Sequence, residues 1–161
     1  MPGGGRALID DDVRSFLRGP VSAILGTADD LLVPDLSRIG GLVPLDDASM
    51  RVLIAADAVE ARANAAEAGR AVSVLVTDIV SYRSLQWKGT LVSWHDRTPG
   101  DLTVLHDHVE RFAAAAPSVG IDPVVVRRIF PTDVVALVVT FDQLFDQTPG
   151  PTAGRRIEAA P

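Results

Sequence analysis

Three polar side chains lie close together in the stretch SYRSLQWKGTLVSW, residues 81–94. Because the side chains of a strand alternate between its two faces, Gln86 and Lys88 point the same way, and Arg83 lies just before them. A carboxamide offers a donor and an acceptor to the edge of a planar heterocycle, and Arg and Lys offer positive charge to a phosphate. Residue types and spacing leave two interpretations open: a ligand-binding strand, or a strand with one solvated face.

Other kinds of chemistry have less support in the sequence. The chain has no cysteine, which excludes thiol catalysis, thiolate metal sites and disulfides. His106 and His108 are two residues apart on a predicted helix, about 200° apart around its axis, so they do not share a metal ion. His95 stands alone after a predicted strand, and no nucleophile elbow or glycine-rich phosphate loop follows a strand. We therefore predict no metal site and assign no catalytic residue.

Composition limits the possible partners and compartments. The net charge is −6 and there is no run of Lys and Arg, which argues against a nucleic acid or an anionic membrane as partner. No apolar segment approaches the length of a membrane span, and the first residues contain no apolar signal-peptide core. The expectation is a cytoplasmic protein whose 161 residues form one domain, 1–161.

The elements that must position these side chains are strands with a few helices between them. Stretches rich in β-branched residues predict strands, and helical periodicity with capping residues predicts helices. The helices are predicted at 9–18, 59–69, 99–116 and 122–130, and the strands at 21–27, 31–42, 50–57, 71–78, 81–94 and 132–141.

A few residues sharpen this outline. Pro34 indicates that the second strand lies at a sheet edge or carries a bulge. Thr98 and Pro99 mark the N-cap and first residue of the long helix, and Gly69 marks the end of the second helix. Six strands with mostly short connections predict a mainly β (α+β) fold, an antiparallel barrel with helices packed outside it.

The two ends of the chain are predicted to lack regular structure. Residues 1–8, which begin MPGGG, are expected to be loose. Residues 146–161 are turn-rich and are expected to form an irregular tail that folds over the ligand cleft or a partner chain.

The string YRSLQWKG, preceded by AVSVLVTD, resembles the corresponding region of the pyridoxamine 5′-phosphate oxidase-like family, the FMN-binding split barrels. The helix ARANAAEAGR is similar to this family too, and FDQTPGPTAG resembles the ending of a subgroup of short members. The similarity runs from about Phe16 to Gly154. It implies a six-stranded antiparallel split β-barrel with peripheral helices, and a homodimer with two FMN sites at the interface, each built from both chains.

The resemblance also implies roles for individual residues. Gln86 matches the family's glutamine, which approaches the flavin ring. Arg62 and Asn64 lie where the helix after the third strand helps to hold the phosphate. The predicted cofactor-binding residues are Arg38, Arg62, Asn64, Arg83, Gln86 and Lys88.

The same resemblance answers the question of which way the strand faces. Gln86 and Lys88 are expected to face the flavin cleft, while Leu85, Trp87 and Leu91 fill the barrel. The first hypothesis is an FMN-dependent oxidoreductase that acts on an unidentified small molecule, with the flavin carrying the hydride chemistry.

The alternative is a non-catalytic protein that binds flavin, haem or deazaflavin. Family members often carry a Ser or Thr followed by Lys or Arg at the start of the phosphate-binding helix. Here residues 57–62 contain no hydroxyl and include Glu60, which favours the alternative. If the cofactor is haem, His95 is the ligand to test.

Overall fold

The computed structural model describes residues 7–158 and contains a closed antiparallel β-barrel. Six strands pair in the order β3-β2-β1-β4-β5-β6, and β3 also pairs with β6, which closes the barrel. The mainly β (α+β) prediction, with a six-stranded barrel and peripheral helices, is confirmed. The elements are α1 (Asp11–Leu17), β1 (Val21–Ala28), β2 (Pro34–Pro44), β3 (Ser49–Ala55), α2 (Val59–Asn64), β4 (Ala71–Asp78), β5 (Ser84–His95), α3 (Pro99–Ala115), a 3₁₀ helix (Ala116–Val119), α4 (Pro123–Ile129), β6 (Val134–Asp146) and β7 (Arg155–Arg156).

The barrel interior is built from alternate residues of each strand. On β1, every second residue from Val21 to Thr27 is buried and the residues between them are half-buried. Leu85, Trp87 and Leu91 of β5 are buried in the same core, as predicted. The indole N–H of Trp87 donates to the carbonyl oxygen of Leu8 at 3.0 Å, which satisfies the one polar group of a fully buried ring.

α3 packs outside the barrel against β2. Its N-terminus is the predicted one: Thr98 is the N-cap and Pro99 the first residue, and Thr98 and Asp101 form a capping box. Gly40 and Gly41 of β2 allow the helix to approach, because a Cβ atom at Gly40 would lie 2.7 Å from Leu105 Cδ1. None of the described helices has both the length and the apolarity needed to cross a membrane.

Several boundaries differ from the sequence predictions. α2 ends at Asn64, well before Gly69, because its alanine-rich sequence is only a weak local preference and the chain must turn there to enter β4. β2 starts at Pro34, pairs with β1 through residues 34–38 and with β3 through residues 39–44, and its register shift lies between Ile39 and Gly41. β2 lies inside the strand order, but Pro34 itself is paired on one side only, and the predicted bulge is confirmed.

The ends of the described chain are more regular than predicted. β6 runs on to Asp146, and β7 pairs with Phe145 and Asp146, so part of the predicted irregular tail joins the sheet. Of the predicted loose segment 1–8, residues 1–6 lie outside the described residues, and Leu8 packs against the core.

Candidate functional site

The outer face of the barrel at β1, β4 and β5 carries Gln86 and Lys88. Strand register places Ile24 opposite both Arg38 and Leu75, and places Leu75 opposite Gln86. Directly opposed residues share a face, so these four residues form one row across four strands. At about 4.8 Å between strands, the backbones at the two ends of the row are about 14 Å apart. The row has a guanidinium at one end, a carboxamide at the other and an apolar floor between them.

A second row runs beside the first and forms the floor of an open groove. Gly26 lies opposite Leu36 and Ser73, and Ser73 lies opposite Lys88. These residues line a groove of about 510 Å³. A Cβ atom at Gly26 would lie 2.7 Å from Ser73 Oγ, so glycine keeps this floor flat. A concave, mostly apolar groove of this size with a few polar groups is typical of small-molecule sites.

Lys88 supplies positive charge to the groove. Its Nζ lies 4.8 Å from the centroid of the Phe145 ring, within the range of a cation–π contact. Asp35 and Asp142 line the same groove. A phosphate bound beside Lys88 would therefore have two carboxylates nearby, which weaken the net attraction of the groove for an anion.

Gln86 is held in place by the segment that follows β6. Gln147 Nε2 donates to Gln86 Oε1 at 2.9 Å, and the Gln147 backbone N–H donates to the Ser84 carbonyl oxygen at 2.8 Å. The two glutamines line a second hollow of about 310 Å³ together with Leu75, Thr77 and Ser84. This hollow lies on the same outer face, one row away from the groove.

α2 places neither of its two predicted residues in the groove lining. Asn64 Nδ2 donates to Thr27 Oγ1 at 3.2 Å, and the Thr27 side chain is buried on the inward face of β1, opposite the face of Gly26. The Arg62 guanidinium instead lies 5.5 Å from the centroid of the Trp94 ring. Residues two apart on a helix point about 200° apart, which is why these two side chains separate.

The two remaining arginines make contacts within the chain. Arg83 precedes β5 and pairs with Asp12 of α1 at 2.5 Å, and its guanidinium lies 4.9 Å from the Phe16 ring centroid. The hydrogen bond from Arg83 lowers the pKa of Asp12 below its ordinary value. Arg38 lies 5.4 Å from the Phe130 ring centroid, at the end of α4. The structure therefore does not bring Arg83 together with Gln86 and Lys88.

Comparisons with known proteins bear on this fold. No protein-family model matches the sequence, and no curated protein matches it. HupZ from Group A Streptococcus is similar in structure, with 16% sequence identity, a TM-score of 0.55, and coverage of 91% of this chain and 99% of HupZ. At this level of identity the similarity concerns the fold alone. The chain has a split-barrel fold.

Two further solved structures share the split barrel. Rv2991 from Mycobacterium tuberculosis is 14% identical, with a TM-score of 0.52 and coverage of 84% of this chain and 81% of Rv2991. HutZ, the haem storage protein from Vibrio cholerae, is 18% identical, with a TM-score of 0.50 and coverage of 88% of this chain and 94% of HutZ.

The three histidines of this split barrel have different surroundings. His95 is exposed at the end of β5, and its Nε2 lies 2.7 Å from Ser93 Oγ. His106 is exposed on α3, whereas His108, two residues later, is buried. Within residues 7–158, no group of three or more His, Asp or Glu side chains is placed to hold a metal ion.

The sequence analysis missed the residues that surround Gln86. Gln147 and the hydroxyl pair Thr77 and Ser84, 2.8 Å apart, complete the hollow beside it. The sequence carried one signal for Gln147, the resemblance of FDQTPGPTAG to family endings. Thr77 and Ser84 meet because the β4–β5 hairpin places them opposite each other. Their separation in sequence does not by itself predict this contact.

Proposed function

We propose that this split barrel binds FMN on the outer face of β1, β4 and β5 and acts as a flavin-dependent oxidoreductase on a small molecule. The observation that carries the proposal is the pair of adjacent rows on this face. One row gives Leu75 as a flat apolar floor beside Gln86, and the other gives Gly26 and Ser73 beside Lys88. Bound FMN would supply the hydride chemistry.

The side chains of this face have separate tasks in the proposal. Gln86 hydrogen-bonds to the edge of the ring system, and Leu75 contacts its flat surface. Lys88, which lines the groove, offers charge to the phosphate. Asn64 reaches the phosphate only by releasing its hydrogen bond to Thr27. Arg62 and Arg38 reach the phosphate only by leaving their aromatic contacts with Trp94 and Phe130.

A second copy of the chain completes the proposed site. The β1–β2 hairpin carries four exposed apolar residues beside the groove, and exposed apolar clusters of this kind mark protein interfaces. We expect a homodimer that covers these side chains and that builds each of two FMN sites from both chains. The exposed residues are Leu31, Leu32, Val33 and Leu36.

Haem storage is the second candidate, and a specific similarity favours it. HutZ, which shares the fold, is a haem storage protein. In the present chain His95 is the exposed histidine at a strand end, and its imidazole is accessible to an iron. The groove lacks a histidine among its lining residues, which supports flavin over haem.

An absorbance spectrum of the purified protein, followed by titrations with FMN, riboflavin and haem, tests the proposal. We expect flavin binding, with FMN tighter than riboflavin. Lys88→Ala should reduce the difference in affinity between FMN and riboflavin, because the lysine charge attracts the phosphate group, which riboflavin lacks. Arg127→Ala, which removes an exposed cation on α4, is the matched control. A Soret band that His95→Ala abolishes, with no flavin binding, would instead establish the haem candidate.

A further inference from the structure

Gln147 lies outside the barrel strands, yet its position relative to β5 is fixed by several hydrogen bonds. Its backbone N–H donates to Ser84, and the next residue, Thr148, accepts from the Ser84 N–H at 3.0 Å. Asp146 Oδ1 accepts from the Thr148 N–H at 2.9 Å, which holds the turn in place. The carboxamide of Gln147 therefore presents a fixed group to the hollow beside Gln86.

The hydrogen bond between the two glutamines determines what they offer to a ligand. Gln147 Nε2 donates to Gln86 Oε1, so within the described chain Gln86 Nε2 remains a donor and Gln147 Oε1 remains an acceptor. If the two amides were both turned over, the pair would again present one donor and one acceptor. Both glutamines line the hollow.

The hydroxyls of the same hollow are already engaged with each other. Ser84 Oγ donates to the carbonyl oxygen of Tyr82 at 3.1 Å, so its single hydrogen is used. Thr77 Oγ1 must then donate to Ser84 Oγ, 2.8 Å away. Recognition at this end of the face therefore depends on the amide pair, and Leu75 supplies the apolar surface beside it.

We propose that Gln86 and Gln147 together recognise a planar heterocycle through an imide or lactam edge, where a ring N–H and a carbonyl oxygen are adjacent. This inference rests on the proposed flavin function and adds to it a second ligand-contacting residue, Gln147, and the edge of the ring that is recognised. The ring N–H donates to the free amide oxygen, and the ring carbonyl accepts from the free amide NH₂. The edge of a porphyrin has no such pair of groups.

Two probes with the same ring size test the inference: riboflavin, and riboflavin methylated at the imide nitrogen. We expect the wild-type protein to bind riboflavin about tenfold more tightly than the methylated probe, since the methyl group removes one hydrogen bond and crowds the amide oxygen. Gln147→Ala should weaken riboflavin binding about fivefold and leave the methylated probe nearly unchanged. The visible bands of bound riboflavin should shift in this variant.

A matched variant separates this role from a general loosening of the segment after β6. Thr152→Ala removes the hydrogen bond from Thr152 Oγ1 to Asp146 Oδ2 in the same segment without touching Gln86, and should leave both affinities unchanged. Equal binding of the two probes by the wild type, or an unaltered riboflavin affinity in Gln147→Ala, overturns the inference and leaves flavin binding standing. Failure of the wild type to bind FMN or riboflavin overturns both proposals.

Discussion

Arg38 and Gln86 stand at opposite ends of one row on the outer face of the split barrel, with Ile24 and Leu75 between them. The row crosses four strands that are not consecutive in the chain, so only the barrel brings these residues onto one surface. The α4 end, where Phe130 contacts Arg38, bounds the face on one side. The Gln147 contact with Gln86 bounds it on the other.

Leu75→Glu tests whether this face is the ligand floor. The side chain is half-buried and points outward from β4, so a carboxylate there is tolerated by the fold but lies directly under a bound ring. Burying an unpaired charge against an apolar ring is costly, and we expect FMN affinity to fall at least tenfold. Calorimetric titration measures the affinity, and circular dichroism checks the fold.

Val124→Glu is the control for this change. Val124 is exposed on α4, so its substitution alters the net charge equally without placing a carboxylate on the face. We expect unchanged FMN affinity in the control. Equal affinities in Leu75→Glu and Val124→Glu would show that the ring binds elsewhere.

Leu36→Lys tests the proposed second copy. Leu36 is 70% exposed and lines the groove, so a lysine there is harmless to a monomer but places a charge in the proposed interface. Sedimentation should show a dimer of 17.0 kDa chains for the wild type and a monomer for the variant, with FMN affinity falling in parallel. Leu45→Lys, at an exposed residue between β2 and β3, should remain dimeric. A wild type that is monomeric at tens of micromolar rules out the dimer.

The features that the sequence predicted well are those with strong local signals. β4 spans residues 71–78 as predicted, since it is rich in β-branched residues, with valine at every second position from Val72 to Val76. α3 begins at Pro99 because the Thr98 cap and the proline act within a single turn. Local signals of this kind need no knowledge of the rest of the chain.

The features that the sequence missed depend on partners far along the chain. Arg83 lies beside Gln86 in sequence, yet it pairs with Asp12, which α1 brings to it. Gln147 contacts Gln86 only because β6 extends past the predicted strand end to reach β5. Such contacts depend on how the strands pair in the closed barrel. The residue pattern of a single segment does not determine that pairing.

The ion pair between Arg51 and Asp101 links β3 to the first turn of α3. The guanidinium donates to both carboxylate oxygens, at 2.8 and 2.6 Å, and the Asp101 side chain is 5% exposed. Hydrogen bonds from Arg51, and from Thr98 in the capping box, lower the pKa of Asp101 from 3.8 to about 2. The carboxylate thus holds both the helix N-terminus and the guanidinium.

Asp101→Asn should lower the free energy of unfolding by about 3 kcal/mol, because it leaves the half-buried Arg51 without its charged partner. Urea unfolding measures the loss. A carboxyl with a lowered pKa contributes stability above its unfolded pKa, and this is lost as the pH falls from 3.8 towards 2. The variant should therefore lose less stability than the wild type over that range. Glu110→Gln, in the exposed pair with Arg127, is the control and should leave the urea midpoint nearly unchanged. A midpoint for Asp101→Asn equal to that of the wild type would contradict the prediction.

His108 is buried between α3 and α4, where its ring contacts Phe130 edge-on at 5.4 Å. Its Nε2 is buried and has no hydrogen-bond partner among the described residues. Burial, followed by the positive charges of Arg111 and Arg38, lowers the pKa of His108 from 6.5 to about 4. The folded state therefore keeps this imidazole neutral at pH values where the unfolded chain protonates it.

The consequence is a loss of stability in mild acid. Between pH 6.5 and 4 the unfolded chain binds a proton at His108 that the folded chain does not, so stability falls as the pH falls through this range. The loss of unfolding free energy caused by His108 reaches about 3 kcal/mol near pH 4. His108→Leu should remove it, giving a flatter profile of urea midpoints from pH 7 to about pH 4, and should also relieve the unpartnered nitrogen. His106→Gln changes an exposed histidine of the same helix and should retain the wild-type profile. If the urea midpoint of His108→Leu fell with pH as it does in the wild type, other groups would be the cause of the acid sensitivity.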